Sequence, residues 1–192
     1  MADAALAIGH SLGALRSHDI ALFSACRLNR RFDLTEHDVD GPLLQDLVGA
    51  ANLLLPQKLF AKWSKVLRRS AREQSLVHGD FNHGNIVLEC KNGRWRVTGI
   101  LDWELAGTGS SLWDAARFVC YQKPDSHYWE SHFLDGFRDK SSAKVPEDWE
   151  HLSLVMNTLS AAVSLARGSA QERFVPELKR LIHCGLRGEK IG

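Results

Sequence analysis

The sequence VHGDFNHGNI at residues 77–86, followed by GILDWE at residues 99–104, carries the strongest structural signal in this chain of 192 residues. Each segment joins a short apolar run, which is typical of a strand, to polar residues that are typical of a loop. Between them lies the turn Lys91–Arg94, whose Asn-Gly pair favours the positive backbone angles of a tight hairpin. The pattern therefore predicts a hairpin with one strand at 86–88 and a return strand at 95–101.

The predicted hairpin brings polar side chains from both segments together. Asp80 lies in the loop before the first strand, Asn85 enters that strand, and Asp102 leaves the second strand. Because antiparallel pairing returns the chain, Asp102 comes back to the end of the ladder where Asn85 lies. An acid, an amide and a second acid in this order are typical of kinase-type phosphoryl transfer, which needs an acceptor for the hydroxyl proton and hard oxygen ligands for Mg²⁺. A single loop Asp is usually a turn residue or a helix cap, so the combination carries the prediction.

The motif residues resemble those of the aminoglycoside phosphotransferase and choline kinase superfamily, whose fold is protein-kinase-like. The matching segments are HGD at 78–80 with Asn85, ILDWE at 100–104 and AGTGSSLWD at 106–114. The resemblance is strong over 76–118, extends to 4–16, which is similar to the helix after the kinase hinge, and is weak after about residue 125. The superfamily more often has a proline near Ser111, and this departure affects the stiffness of the loop.

The resemblance implies a role for each motif residue. Asp80 would be the catalytic base that orients and deprotonates the substrate hydroxyl, and Asn85 and Asp102 would bind Mg²⁺. His78 would brace the catalytic loop through hydrogen bonds, and Asp114 would cap the following helix and brace the backbone. The implied cofactors are Mg²⁺ and ATP or GTP, and the residues that bind the nucleotide beyond the metal ligands stay open.

Other residues near the motif have two interpretations. His83 occupies a variable position of the loop and is predicted to face solvent. Trp95, Trp103 and Trp113 could stack on a substrate or on adenine, but large aromatic residues beside a hairpin more often belong to the core. Glu104 faces either the substrate side or a structural arginine, and the sequence leaves both possibilities open.

Outside the hairpin, apolar residues recur at helical spacing, apart from a polar and irregular segment at 17–41. Helices are predicted at 4–16, at 42–55, from Pro56 to about Arg72, and at 111–121, 126–139, 147–167 and 171–185. The predicted fold class is α+β, mainly α, with one kinase-like C-terminal lobe over 1–192. Within it, the catalytic and metal loops span 76–118, and a helical substrate-side region spans 119–192.

Kinases of this superfamily also have an N-terminal lobe, with a phosphate-covering loop and a lysine that pairs with the nucleotide phosphates. No glycine-rich loop precedes residue 76, since Gly9 and Gly13 fall inside a helical pattern, and the first lysine is Lys58. The sequence therefore predicts a C-terminal lobe without its nucleotide lobe. Such a chain is expected to bind ATP weakly, to phosphorylate poorly, and to self-associate through apolar surface near 1–16 and the hairpin.

The composition restricts the class of protein. Hydrophobic residues make up 44% and charged residues 24% of the chain, as in a globular domain. The net charge is +1, and the densest basic segment, Lys65–Arg72, has the spacing of a solvated helix face, so we expect no nucleic-acid partner. The four cysteines lack the close spacing of a metal or redox motif and are predicted to be free thiols. With no signal peptide or membrane-spanning segment predicted, we expect a cytoplasmic location.

Two functions are compatible with these features. The first is an ATP-dependent phosphotransferase lobe that moves the γ-phosphoryl group to a hydroxyl of a small molecule, such as an aminoglycoside or other antibiotic, an amino alcohol or a sugar. Region 120–192 has ten acidic and ten basic residues, so its charge does not favour a polycation. The alternative is a truncated, catalytically silent lobe that serves as a binding or scaffold module. The retained Asp80, Asn85 and Asp102 argue against that alternative.

Overall fold

The computed structural model describes residues 2–15, 31–32, 61, 64, 75–120, 127–141, 145–147, 149–166 and 171–187. The helices are α1 (Ala2–Leu15), α2 (Leu112–Cys120), α3 (His127–Lys140), α4 (Trp149–Ala166) and α5 (Val175–Arg187). The strands are β1 (Arg31–Phe32), β2 (Ser75–Val77), β3 (Ile86–Lys91), β4 (Arg94–Ile100) and β5 (Gly107–Gly109). Short 3₁₀ turns occur at His83–Asn85, Trp103–Leu105 and Glu172–Phe174.

The predicted mainly helical fold with a central hairpin is confirmed. Each of the predicted helices at 4–16, 111–121, 126–139 and 147–167 corresponds to a helix, and the last one, at 171–185, begins with a 3₁₀ turn before α5. The helices predicted between residues 42 and 72 lie outside the described residues, apart from Ala61 and Ser64. None of the described helices is both long enough and apolar enough to cross a bilayer.

The hairpin forms where the turn signal predicts it. Strands β3 and β4 pair antiparallel, and Asn92 and Gly93 between them have φ angles of 53° and 73°. Two successive positive φ angles are the signature of a type I′ turn, whose twist matches that of the flanking strands. The ladder ends at the pair Ile86 and Ile100. Beyond it, the N–H group of Leu101 donates a hydrogen bond of 2.8 Å to the carbonyl oxygen of Asn85.

Two polar loops follow strands β2 and β4, the first at residues 78–85 and the second at residues 101–106. A second, smaller sheet lies beside them, and its strand order is β1-β5-β2. Strand β5 pairs antiparallel with β2 and parallel with β1, and the Ser75 hydroxyl donates a 2.7 Å hydrogen bond to the carbonyl oxygen of Gly109. The sequence predicts a loop at Gly107–Gly109 and irregular chain over 17–41, because strands of two or three residues are too short to show a period. This sheet ties the chain before the first polar loop to the chain after the second.

Helix α1 packs closely on α3 because glycines lie at the crossing. A Cβ atom on Gly9 would lie 2.0 Å from the carbonyl oxygen of Phe133, and one on Gly136 would lie 2.2 Å from that of Leu6. Only glycine permits this approach of the two backbones. The apolar face of α1, with Ala5, Ile8 and Leu12 almost fully buried, thus joins the core.

The core continues directly under the first polar loop. Phe81 is fully buried, and its ring centroid lies 5.7 Å from that of Phe118 on α2, which in turn contacts Phe133 on α3. Because this large aromatic side chain is packed in the core, the conformational freedom of the loop at that position is restricted. The neighbouring Asp80 is therefore attached to a residue that does not move independently of the helices.

Candidate active site

The carboxylate of Asp80 is held on both sides. The Nδ2 group of Asn85 donates to the backbone carbonyl of Asp80 at 3.0 Å and lies 3.3 Å from its Oδ2 atom. The other oxygen, Oδ1, accepts from Nε and Nη2 of Arg117 at 3.4 and 3.3 Å. The Asp80 side chain retains 27% of its surface exposed, so an incoming hydroxyl group can reach it.

The backbone of the same loop is anchored by Asp114, which is 1% exposed and lies in the first turn of α2. Its two carboxylate oxygens accept hydrogen bonds from the backbone N–H groups of His78 at 2.7 Å and Gly79 at 2.9 Å. The resemblance also implies a helix cap at Asp114, but the side-chain acceptor for the first N–H of α2 is Ser110, whose hydroxyl accepts from Leu112 N at 3.3 Å. Because an N-cap precedes the first turn and Asp114 lies within it, the capping part of the prediction is wrong.

Burial raises the pKa of Asp114 to about 7, while the hydrogen bonds from the His78 and Gly79 backbone lower it and the charge of Asp80 raises it further. A carboxyl whose folded-state pKa lies above its ordinary value binds a proton more tightly in the folded state. Its contribution to the free energy of unfolding is therefore fully present below about pH 4 and is lost as the pH rises to about 7.

We therefore expect Asp114→Asn to flatten the pH dependence of stability. The free energy of unfolding of the wild type minus that of the variant should decrease between pH 5 and pH 8, by an amount on the order of a few kcal/mol. Urea unfolding of both proteins at several pH values measures this difference. A difference that stays constant across that range would contradict the assignment, and Asp135→Asn on the exposed face of α3 serves as the control.

His78 connects the two polar loops. Its Nε2 atom lies 2.8 Å from the carbonyl oxygen of Leu101, and its Nδ1 atom accepts from the backbone N–H of Asp80 at 3.2 Å. Because a carbonyl can only accept, Nε2 carries the proton and Nδ1 offers a lone pair, which defines the tautomer. One imidazole thereby links the backbone of Asp80 to the residue that precedes Asp102.

Asp102 lies at the end of the hairpin where Asn85 enters it. Its backbone is left-handed, with φ 62° and ψ 63°, and the following Trp103 indole donates to the carbonyl oxygen of Ile100 at 2.7 Å. This tight turn directs the chain away from β4 directly after the strand. Asp102 and Asp80 border one cleft, while the Asn85 side chain contacts Asp80.

The residues at this end of the hairpin suit a hard cation. The amide nitrogen of Asn85 is engaged by Asp80, so its amide oxygen is the atom that can face a metal, and Asp102 adds an exposed carboxylate. Within the described ranges, no three His, Cys, Asp or Glu side chains are grouped to hold a metal ion. Mg²⁺ is commonly bound by one or two protein oxygens together with substrate phosphates and water, which is the ligand set that Asn85 and Asp102 could complete.

A cleft of about 580 Å³ lies in front of Asp80 and Asp102. Its opposite side comes from the C-terminal helices, through Ser164, Gln171, Arg173, Phe174, Glu177 and Leu178. The sequence gives no signal for these residues as part of the site, because they follow no motif and lie about 60 to 100 positions from the hairpin in the chain. Arg117 was also missed, although its position three residues after Asp114 on a helix puts both on the face that meets the loop.

The structure also resolves several open interpretations. Glu104 borders the cleft, which agrees with the alternative in which it faces the substrate side. His83 is exposed as predicted, yet its ring lies 4.4 Å from that of Phe118, and this partial burial lowers its pKa. The core interpretation of Trp95 is wrong, since it is 37% exposed on the hairpin, whereas Trp103 packs its ring 4.6 Å from that of His78.

Residues 2–153 of this chain match the phosphotransferase enzyme family. The chain belongs to that family. The match includes α1, both polar loops and the hairpin, which are the parts where the sequence resembles the aminoglycoside phosphotransferase superfamily. For a phosphotransferase, two acidic residues that border the same cleft are an arrangement that can serve group transfer.

Two curated proteins resemble part of this phosphotransferase chain. Over 65 residues, 34% of the chain, it is 42% identical to acyl-CoA dehydrogenase family member 11 of Homo sapiens and 42% identical to the Mus musculus protein of that name. The aligned part covers only 8% and 7% of those proteins. This phosphotransferase therefore corresponds to a small portion of its relatives.

Solved structures show the same fold. A protein from Ralstonia eutropha assigned as an aminoglycoside phosphotransferase superposes with a TM-score of 0.64 at 14% identity, covering 97% of this chain and 64% of that one. A microcompartment-associated aminopropanol kinase gives 0.62 at 16% identity, with 97% and 61% covered, and macrolide 2′-phosphotransferase type I gives 0.58 at 18%, with 93% and 58% covered. This phosphotransferase thus spans less than two thirds of each of them.

Proposed function

We propose that this protein catalyses ATP-dependent transfer of the γ-phosphoryl group to a hydroxyl group of a small molecule. The observation that carries the proposal is the Asp80 carboxylate, held by Asn85 and Arg117 at the edge of a cleft that Asp102 also borders. Membership of the phosphotransferase family supports the reaction class.

In the proposed reaction, Asp80 accepts the proton of the substrate hydroxyl while the oxygen of that hydroxyl forms a bond to the γ-phosphorus of ATP. The bond from that phosphorus to the bridging oxygen breaks, and ADP leaves. Little covalent chemistry falls to the protein in such transfers, so most of the rate comes from positioning and charge stabilisation. The anchoring of the Asp80 loop by Asp114, His78 and Phe81 supports this role.

Mg²⁺, held by Asp102 and the amide oxygen of Asn85, would neutralise charge on the phosphates. ATP is the nucleotide that we propose, and GTP is the alternative that the family resemblance also implies. The residues of this chain would contribute the oxygen ligands and the orientation of the loop. The wide spacing of the four cysteines in the sequence predicts free thiols, which is the basis of our proposal of a cytoplasmic location.

The acceptor would lie between Asp80 and the C-terminal wall of the cleft. This wall combines an exposed aromatic ring, Phe174, with charges of both signs at Arg173 and Glu177. A binding site with mixed polar and apolar groups suits a small molecule that has both kinds of surface. The acceptor class that we propose is therefore a small alcohol, with aminoglycosides, macrolides, amino alcohols and sugars as compounds to test.

The direct test is transfer of labelled γ-phosphate from ATP, with Mg²⁺ present, to a panel of these alcohols. We expect one phosphorylated product, identified by mass spectrometry, and no product when Mg²⁺ is chelated. The chain with Asp135→Asn, which changes an exposed acid far from the cleft, should behave as the wild type. Tight binding of ATP or an alcohol with no phosphorylated product from any acceptor would favour the alternative, a silent binding or scaffold module.

We also propose that the chain self-associates through exposed apolar side chains of its hairpin. Val87, Trp95 and Leu101 are 42%, 37% and 53% exposed, whereas the apolar face of α1 is covered by α3. Exposed large apolar side chains favour association when a partner can cover them. We expect light scattering after size exclusion to report a species larger than one chain, and Trp95→Glu to shift it towards the monomer. A monomeric wild type at micromolar concentration would contradict the proposal.

A further inference from the structure

Helix α2 touches the loop of Asp80 at two points, one on the backbone and one on the side chain. Asp114 binds the backbone N–H groups of His78 and Gly79, and Arg117 reaches the carboxylate of Asp80. Residues three positions apart on a helix lie on the same face, so one rigid surface makes both contacts. Helix α2 therefore holds both the carboxylate of Asp80 and the backbone of its loop.

The carboxylate itself is held by two different donors. Arg117 approaches Oδ1 with two nitrogens at 3.4 and 3.3 Å, and Nδ2 of Asn85 lies 3.3 Å from Oδ2. With one donor at each oxygen, rotation of the carboxylate about its terminal torsion breaks a contact in either direction. Each carboxylate oxygen has more than one lone-pair site, so both can still accept from a substrate hydroxyl.

The contact between Arg117 and Asp80 contributes little to stability. Their side chains are 31% and 27% exposed, and ion pairs with this much access to water are largely screened. An equivalent pair on the surface, Arg138 with Asp135 at 3.4 Å on α3, lies outside the cleft. The consequence of the Arg117 contact is therefore expected in the orientation of Asp80 and not in folding.

We propose that Arg117 is a positioning residue that fixes the orientation of the Asp80 carboxylate for phosphoryl transfer. This inference rests on the proposed function, because it assigns Asp80 as the base. The planar guanidinium group presents two N–H donors in a fixed geometry, whereas a lysine ammonium group provides a single point charge. Arginine, and not merely a positive charge, is required at this position.

The test compares Arg117→Ala and Arg117→Lys with the matched control Arg138→Ala, using MgATP and the alcohol that gives the highest turnover with the wild type. We expect Arg117→Ala to lower kcat about 10- to 100-fold with an unchanged KM for ATP, since misplacement of a reacting group has an effect of that size. The kcat of Arg117→Lys should lie between those of the wild type and Arg117→Ala. Added guanidinium ion should restore part of the rate of Arg117→Ala and none of the rate of Asp80→Asn. All variants should keep the thermal unfolding midpoint of the wild type.

A second measurement does not depend on turnover. In a ¹H–¹⁵N spectrum, the Nε–H signal of Arg117, assigned by its loss in Arg117→Lys, should shift in Asp80→Asn, while that of Arg138 should not. An unshifted Arg117 signal would overturn the inference. So would a higher KM for the alcohol with unchanged kcat, which would make Arg117 a substrate-binding residue. If the wild type shows no turnover, the proposed function fails. The shift of the Arg117 signal then tests by itself whether Arg117 contacts Asp80.

Discussion

Replacing Asp80 by Asn is expected to lower kcat about 10²- to 10⁴-fold, which is the range for loss of a general base. The amide has the shape of the carboxylate, but its single oxygen can accept from Arg117 or from Asn85 and not from both, and it cannot take the proton of the hydroxyl. The KM for ATP should change little, because Asp80 acts on the acceptor in the transition state. Steady-state phosphorylation of the best alcohol, with ATP and acceptor varied separately, measures both constants.

The matched control for this substitution is Asp135→Asn on α3, where the acid is exposed and paired with Arg138. It makes the same chemical change far from the cleft and should leave both constants unchanged. An Asp80→Asn variant with wild-type kcat would remove Asp80 from the mechanism. A variant with wild-type kcat and a raised KM for the alcohol would instead make Asp80 a binding residue.

Replacing Asp102 by Asn is expected to lower the rate about 10²- to 10³-fold at fixed Mg²⁺, the range found when one electrostatic stabiliser of the transition state is removed. Asn tolerates the left-handed backbone of this position, so the change removes a charge without straining the turn. Raising the Mg²⁺ concentration should recover part of the rate, because the remaining ligands bind the ion more weakly. The rate as a function of Mg²⁺ concentration measures this effect.

Glu89→Gln is the control for Asp102, since Glu89 is an exposed acid on β3 outside the cleft. Its Mg²⁺ dependence should match that of the wild type. Binding of Mn²⁺ to the ATP complex, followed by electron paramagnetic resonance, gives a readout that does not require an acceptor. Equal Mn²⁺ affinity in the wild type and Asp102→Asn would show that the metal has other ligands.

The two predictions are independent because they concern different partners. Asp80 acts on the acceptor hydroxyl, whereas Asp102 acts on the phosphates through the metal. Asp102→Asn should therefore change the Mg²⁺ dependence, and Asp80→Asn should not. The opposite pattern would mean that the roles of the two acids are exchanged.

Local signals were enough to predict the hairpin and most of the helices. The Asn92-Gly93 pair has the backbone freedom that a type I′ turn needs, and apolar spacing marks the helices, so each follows from a few neighbouring residues. The motif around Asp80 and Asp102 led to the phosphotransferase family before any contact was known. By contrast, the three-stranded sheet was missed, because its strands are too short for a pattern and are paired only through tertiary packing.

What the sequence by itself determined is therefore the set of local elements, the family and the identity of the acidic and amide motif residues. Only the tertiary structure decided which residues meet them: Arg117 at the carboxylate of Asp80, Asp114 on the loop backbone instead of a helix cap, and Phe174 on the far wall of the cleft. The physical reason is that a turn or a helix depends on neighbouring residues, whereas these contacts join residues 35 or more positions apart in the chain. Such contacts exist only once the helices have packed into one core.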